Sequence, residues 1–229
     1  MAQGAVLQVF GQPAATDVAR VMACLFERKL EFELVRTDTF KQAHDKGPRG
    51  HVTLKHGDVT LTDSRDICRY VCTEFPRLCT RSLYGAGALE RASIEKWLQA
   101  EKQSFDAPSS ALAFHLAFAR RTRASPYAAA VDDDKEKNFP LLLRVLDVYD
   151  DVLAGTAYLA GDEFTLADLS HLPNAHYVAC TTRGRALLSS RDNVARWYDA
   201  ISARPAWRQV VSAQAQQSSH CPAVVLDDP

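Results

Sequence analysis

The chain has 229 residues, 47% of them hydrophobic and 24% charged, with a formal net charge of -1. That length can bury the core of one large domain or two small ones. Near-neutral charge argues against a polyanion-binding surface, so no nucleic-acid partner is expected. The densest basic stretch, Arg120-Arg121-Thr122-Arg123, reads as a solvated helix end. No apolar run reaches the length of a membrane span. The N-terminus lacks a basic segment followed by a long apolar one, so no secretory signal is expected. Six cysteines at 24, 68, 72, 79, 180 and 221 have neither zinc-site nor disulfide-framework spacing. Reduced thiols, a cytoplasmic location and no metal are the expectation. Cys68 and Cys72 share a helix face without a histidine or acid to complete a ligand set.

The first third mixes strand and helix signals. Ala5 to Phe10 is a predicted strand, ended by Gly11 and Pro13. Ala14 to Lys29 reads as a helix with Val18, Val21, Met22, Leu25 and Phe26 on one face. Phe32 to Arg36 alternates and suits a second strand. Val52-Thr53-Leu54, His56-Gly57-Asp58 and Val59 to Thr62 form a predicted hairpin. A helix follows from Ser64 to about Glu74, stopped by Phe75-Pro76. The order βαβ, connection, ββα is the pattern of a thioredoxin-like domain. Beyond Arg77 strand signals cease. Residues 1–77 are therefore expected to form an α/β domain, 78–88 a linker and 89–229 an all-α domain. One long helix is predicted to end near Asp106-Ala107-Pro108, with another beginning after it. Further helices are predicted over Pro140–Leu153, from Thr165 onward, over Asn193–Ile201 and over Trp207–Val211.

Two motifs stand out. Asp63-Ser64 closes an alternating strand and opens a helix. A helix start exposes unpaired N–H groups and the positive end of the dipole, which favour an anion, while Asp63 attracts a cation. Together they suit an α-amino acid head group, with its carboxylate and ammonium on one carbon. The plainer reading of this dipeptide is an ordinary serine N-cap. Thr165 and Asp168 have capping-box spacing, with Phe164 and Leu169 placed as a hydrophobic staple. The helix they start is apolar on most sides and is expected at the centre of the core.

A βαβ–ββα half with Asp63-Ser64 at its last helix, followed by a helical half with this cap, resembles a cytosolic glutathione transferase. Val9-Phe10-Gly11, Asp63-Ser64-Arg65-Asp66-Ile67, Val145-Leu146-Asp147-Val148-Tyr149 and Tyr158-Leu159-Ala160-Gly161 are similar to the plant phi class. The resemblance implies the glutathione transferase fold, an α/β thioredoxin-like N-terminal domain plus an all-α C-terminal domain. It also implies a homodimer, glutathione as co-substrate, and an apolar co-substrate site against the helical half. By position, Asp63 and Ser64 would hold the γ-glutamyl group. His51, Val52 and Thr53 would border the cysteinyl part, with the Val52 backbone pairing it as an added strand. His44 and Lys46, separated by Asp45, would lie near the glycine carboxylate. Phe114 and Phe118 would border the apolar pocket, although aromatic residues at helical spacing are more often plain core, and Phe105 and Tyr127 lie in the same region.

Three departures fall on the implied active site. The phi class places a serine five residues before an arginine; counting back from Arg20 gives Ala15, and Thr16 is the neighbouring candidate hydroxyl. The family's cis-proline position holds Thr53. A non-proline cis bond costs about 2.5–4 kcal/mol, so either a trans Val52–Thr53 bond with a rearranged loop or a strained cis bond is expected. The segment between Phe40 and His51 is short. The implied function is glutathione transfer to apolar electrophiles, or hydroperoxide reduction, with weakened catalysis. The alternative is a non-catalytic carrier of apolar small molecules such as flavonoids. A structural or regulatory dimer partner without a ligand is a third possibility.

Overall fold

The structure is a computed structural model that describes residues 6–37, 50–76, 82–113 and 128–216, with side chains of the last stretch described from 137 onward. The sheet is β1 (Leu7–Phe10), β2 (Phe32–Val35), β3 (Thr53–His56) and β4 (Val59–Leu61), in spatial order β2-β1-β3-β4. β1 and β2 are parallel, with Leu7 opposite Phe32, because helix α1 (Thr16–Glu27) carries the chain across the sheet between them. β3 runs antiparallel to β1, and a two-residue turn returns it as β4. Gly57 opens that turn at φ 58, a conformation glycine adopts without steric cost.

Alternation decides which residues the sheet buries. Leu7, Val9 and Leu54 point into the core with Val18, Val21, Met22 and Leu25 of α1. Ile67, Cys68, Val71 and Cys72 of α2 (Ser64–Glu74) complete that layer. Cys24, Cys68, Cys72 and Cys180 are free thiols, and Cys24 Sγ lies 3.9 Å from Cys72 Sγ.

The second domain is helical. It comprises α3 (Ala88–Ala100), a π-helical turn (Glu101–Phe105), α4 (Asp106–Ala113), α5 (Ala128–Leu153), α6 (Leu166–Ala179), α7 (Thr182–Ser189), α8 (Asp192–Ser202) and α9 (Pro205–Ala215). α6 is its axis: nearly every residue is buried, and it packs against α1, α3, α4, α7 and α8. The domains therefore meet where α1 contacts α6 and α9.

Three elements differ from the sequence expectation. The helix does not stop at Asp106-Ala107-Pro108. It widens into the π turn and continues, with Pro108 the third residue of α4. A proline ring collides with the carbonyl four residues earlier, and that carbonyl, of Ser104, belongs to the widened turn. α5 starts at Ala128 rather than Pro140 and runs through the proline. An interior proline costs about 3 kcal/mol. Burial of Leu142, Leu146, Tyr149 and Leu153 along one face, at about 1.5–3 kcal/mol for a large side chain, outweighs it. α7 lies outside the predicted helices; its eight residues contain Gly184, Arg183 and Arg185, which dilute the periodicity.

At the centre of the helical domain Trp97, Phe105, Tyr149, His171 and Trp197 form one aromatic cluster, so Phe105 is core. His171 Nδ1 is 2.7 Å from the Ala167 carbonyl and Nε2 is 2.8 Å from the Tyr149 hydroxyl. A carbonyl only accepts, so Nδ1 carries the proton and Nε2 accepts from Tyr149. Burial pushes the imidazole down to about 3, and the positive charges of Arg20 and Arg65 add to the effect.

Candidate functional site

β4 delivers Thr62 and Asp63 to the start of α2. Asp63, with extended backbone, is the N-cap: its Oδ1 accepts from the N–H groups of Arg65 (2.9 Å) and Asp66 (3.1 Å). This corrects the serine-cap reading, since Ser64 is the first helical residue. The reason is local. An N-cap side chain reaches the second and third helical N–H groups, and the Asp63 carboxylate offers an acceptor there while its second oxygen stays outside. Burial alone would raise the Asp63 carboxyl, but the two N–H donors and Lys102 outweigh it and hold it below the usual carboxylate range. Oδ2 lies 3.9 Å from Lys102 Nζ.

Ser64 is buried, and its hydroxyl donates to Asp17 Oδ1 (2.6 Å) while accepting from Arg20 Nη1 (2.7 Å). Arg20 also donates to Asp17 Oδ1 (2.5 Å), the Ser170 carbonyl (3.2 Å) and Glu101 Oε1 (3.4 Å). Arg65 Nε donates to Glu101 Oε2 (2.7 Å) and Nη2 to Asp106 Oδ2 (3.1 Å). Asn174 and Ser110 close the far side by donating to Asp106 Oδ1. These buried charges join α1, α2, the π turn, α4 and α6. Burial would lower the Arg20 guanidinium, but Glu101, Asp17 and Asp106 outweigh it and hold it firmly protonated. Each ion therefore has partners that oppose its desolvation, although burial still raises the Glu101 carboxyl.

Above this network lies a cavity of about 260 Å³ lined by Asp17, Thr62, Asp63, Ser64, Arg65, Lys102 and Asp106. It presents both signs of charge at close range. A larger cavity, about 440 Å³, lies among α6, α7 and α8 and is lined by His176, Cys180, Arg185, Leu188 and Tyr198, among others. Size favours the second, but opposed charges beside a helix start select the first.

The other half of the implied site is the turn before α1. Ala15 occupies the N-cap position with extended backbone and gives α1 no side-chain cap. Thr16, the first helical residue, is 1% exposed and does not line the charged cavity; Asp17 does. The turn itself is pinned from the helical domain. Tyr177 donates its hydroxyl to the Ala14 carbonyl (2.6 Å), and Gln214 Nε2 donates to the Pro13 carbonyl (2.8 Å). Gly50, at φ 64, lies so close to Ala15 that an added Cβ would sit 2.5 Å from the Ala15 methyl. Gly11 is similarly crowded: a Cβ there would meet Val18 at 2.5 Å and the His51 carbonyl at 2.8 Å.

Val52 is buried, His51 exposed, and Thr53 opens β3 opposite Phe10. The Val52–Thr53 bond is trans, and no cis peptide occurs among the described residues; the loop rearrangement expected with a trans bond falls on residues 38–49, outside the described residues. His44, Lys46, Phe114, Phe118 and Tyr127 lie outside the described residues. Sequence reading missed Asp17, Glu101, Lys102 and Asp106. Asp17 and Arg20 carry a faint signal, an acid–base pair at helical spacing. Glu101 and Asp106 carry none, because their partners lie 36 and 41 residues away.

At the start of α6 the capping box is present. Thr165 Oγ1 accepts from the Ala167 N–H, and Asp168 Oδ2 accepts from the Thr165 N–H at 3.0 Å. Asp168 Oδ1 additionally accepts from Leu159 N–H and Trp197 Nε1. Every oxygen is used inside the core.

Comparison with known proteins agrees with this architecture. Residues 10–79 match the glutathione S-transferase N-terminal domain family and residues 110–205 the glutathione S-transferase C-terminal domain family. The chain is 36% identical over 217 residues to glutathione S-transferase F11 of Arabidopsis thaliana, covering 92% of this chain and 99% of the relative. It is 35% identical over 216 residues to glutathione S-transferase 3 of Zea mays, covering 91% and 95%. Among solved structures, glutathione transferase F2 from Populus trichocarpa superposes with a TM-score of 0.83 at 39% identity, covering 92% of this chain and 99% of that one. A shared fold, near-complete coverage and identities above 30% place this chain in the glutathione S-transferase family, alongside the plant phi-class enzymes.

Proposed function

We propose that the protein binds glutathione at the start of α2 and conjugates it to apolar electrophiles, or uses it to reduce hydroperoxides, with weakened catalysis. The observation that carries the reading is the cavity in which Asp63, Ser64, Asp17 and Lys102 meet at a helix N-terminus. Asp63 takes the γ-glutamyl ammonium, and His51, Val52 and Thr53 border the cysteinyl part. We assign residues 1–77 to glutathione binding, 78–88 to the linker and 89–229 to the co-substrate side, in a cytoplasmic homodimer. Glutathione serves as co-substrate to the electrophile or hydroperoxide, and no metal enters this reading.

In conjugation, the glutathione sulfur attacks an electrophilic carbon. A C–S bond forms, the bond to the leaving group breaks, and the thiol proton passes to solvent. A thiol with pKa near 8.5 is only a few per cent ionised at neutral pH, so activation matters. At Ala15 there is no hydroxyl to stabilise the thiolate. The first-turn N–H groups and dipole of α1 remain beside it, without a side-chain cap from residue 15. Thr16 is the alternative donor, at the price of leaving its buried position.

Ala15→Ser tests this. Conjugation of 1-chloro-2,4-dinitrobenzene should rise by up to about 10²-fold, the low end of what a preorganised donor contributes. Ultraviolet absorbance of the bound thiolate should appear at lower pH. No gain in either would show that residue 15 does not face the sulfur. The carrier reading is favoured by the same alanine. It gains if wild-type protein binds glutathione or an apolar dye yet neither lowers the thiol pKa nor conjugates.

A further inference from the structure

We propose that Lys102 is a binding residue of the glutathione site, taking the α-carboxylate of the γ-glutamyl group by opening its ion pair with Asp63. The inference rests on the glutathione reading above and adds to it a residue from the opposite domain. Its starting point is that the Ser64 hydroxyl is already engaged on both sides. Its hydroxyl proton is spent on Asp17 at 2.6 Å, and its oxygen accepts from Arg20. The N–H groups of Arg65 and Asp66 are spent on Asp63 Oδ1.

The other cations near the cavity are equally committed. Arg20 serves Asp17, Ser64, Ser170 and Glu101, and Arg65 serves Glu101 and Asp106. Lys102 differs. Its side chain is 61% exposed, and it pairs at 3.9 Å with an Asp63 carboxylate that is itself 40% exposed. On the acidic side, both Asp106 oxygens and Asp17 Oδ1 accept within the network, and Asp63 Oδ2 is the cavity-lining carboxylate oxygen that faces Lys102.

A zwitterionic head group resolves this arrangement without leaving a charge unpaired. Its ammonium replaces the Lys102 ammonium on Asp63 Oδ2, and its carboxylate takes Lys102 in exchange. One long ion pair becomes two, in a partly dehydrated cavity where each is worth more than in bulk water. Lysine suits the exchange, since its four-carbon stem carries a point charge through several ångströms. Its placement follows from the π turn, which puts Glu101 into the buried network and its neighbour Lys102 at the rim.

The test pairs Lys102→Met with ligands altered at one group, by titration calorimetry at low salt. The ligands are glutathione, its analogue lacking the α-carboxylate (γ-aminobutyryl-Cys-Gly) and its analogue lacking the α-amine (glutaryl-Cys-Gly). Lys102→Met should weaken glutathione by about 3- to 10-fold and leave the decarboxylated analogue unchanged or bound more tightly, since its ammonium then has no lysine to displace from Asp63. Lys102→Arg should restore most of the loss. Equal weakening of glutathione and the decarboxylated analogue would mean that Lys102 acts only through Asp63 and would overturn the proposal. Unchanged glutathione affinity in Lys102→Met would do the same while leaving the glutathione reading intact. If wild-type protein binds no glutathione at millimolar concentration, the glutathione reading itself falls and the role of Lys102 falls with it.

Discussion

Two helices of this protein carry at their start an aspartate that accepts backbone N–H groups, Asp63 as N-cap and Asp168 as third helical residue, yet the two carboxylates do different things. At α6, Asp168 is fully buried and takes Thr165 N–H, Leu159 N–H, Trp197 Nε1 and the Thr165 hydroxyl. At α2, Asp63 uses one oxygen for the helix and leaves the other facing a cavity and a lysine. A cap whose acceptors are exhausted inside the core is structure. A cap that keeps an acceptor at a charged opening is available for binding. The residue type is the same and both sit at a helix start; position, burial and the accounting of lone pairs separate what they do.

Removing each carboxylate should expose that difference. Asp168→Ala strands two buried backbone N–H groups and an indole N–H, so the loss should be about 3–5 kcal/mol, the range for breaking a buried charged network. The urea midpoint should fall accordingly. A loss near 1 kcal/mol would mean that water reaches the α6 start and that the two caps are more alike than their burial suggests.

The helical core should also be the acid-sensitive region. His171 is held neutral and pushed down to about 3, and burial pushes His176 down to about 4. Both bind protons less readily folded than unfolded, where a histidine titrates near 6.5. Below pH 6.5 the unfolded chain takes up the protons first, so stability is complete above that pH and falls as pH drops toward the folded values. Between pH 6.5 and 5 the His171 share is about 2 kcal/mol, at roughly 1.4 kcal/mol per pH unit. The groups facing it are Tyr149, Arg20, Arg65 and Asp106. Asp168 and Glu101, both raised by burial, act in the opposite sense. His171→Asn should flatten the slope of urea midpoint against pH across this window; an unchanged slope would assign the acid sensitivity elsewhere.

The sequence made the frame of the fold legible because that frame is local. The β1-α1-β2 unit, the β3–β4 hairpin, the α2 start and the α6 cap are each written in a few neighbouring residues. Pro108 and Pro140 misled because they are strong local signals against helix, whereas here a π turn precedes one and burial of Leu142, Leu146, Tyr149 and Leu153 supports the other. The Asp63-Ser64 dipeptide pointed to a charged recognition site but not to its depth. Arg65 meets Glu101 and Asp106 only after the helical domain has docked, so no window of sequence contains the network. The same limit hid Lys102, an unremarkable lysine until the π turn sets it opposite Asp63.

The narrowest comparison separates the cap from the charge at α2. Asparagine caps a helix about as well as aspartate, so Asp63→Asn should change stability by only a few tenths of a kcal/mol, whereas Asp63→Ala should cost about 1 kcal/mol. For a ligand with an ammonium group the ranking changes: both variants lose the negative charge, so glutathione affinity should fall by about tenfold or more in each, 1.4 kcal/mol or above. Urea unfolding and titration calorimetry on the same two proteins read the two effects independently. If Asp63→Asn keeps wild-type affinity, the negative charge is not what the site uses. The α2 aspartate would then belong with its counterpart at α6, as a helix cap that happens to face a cavity.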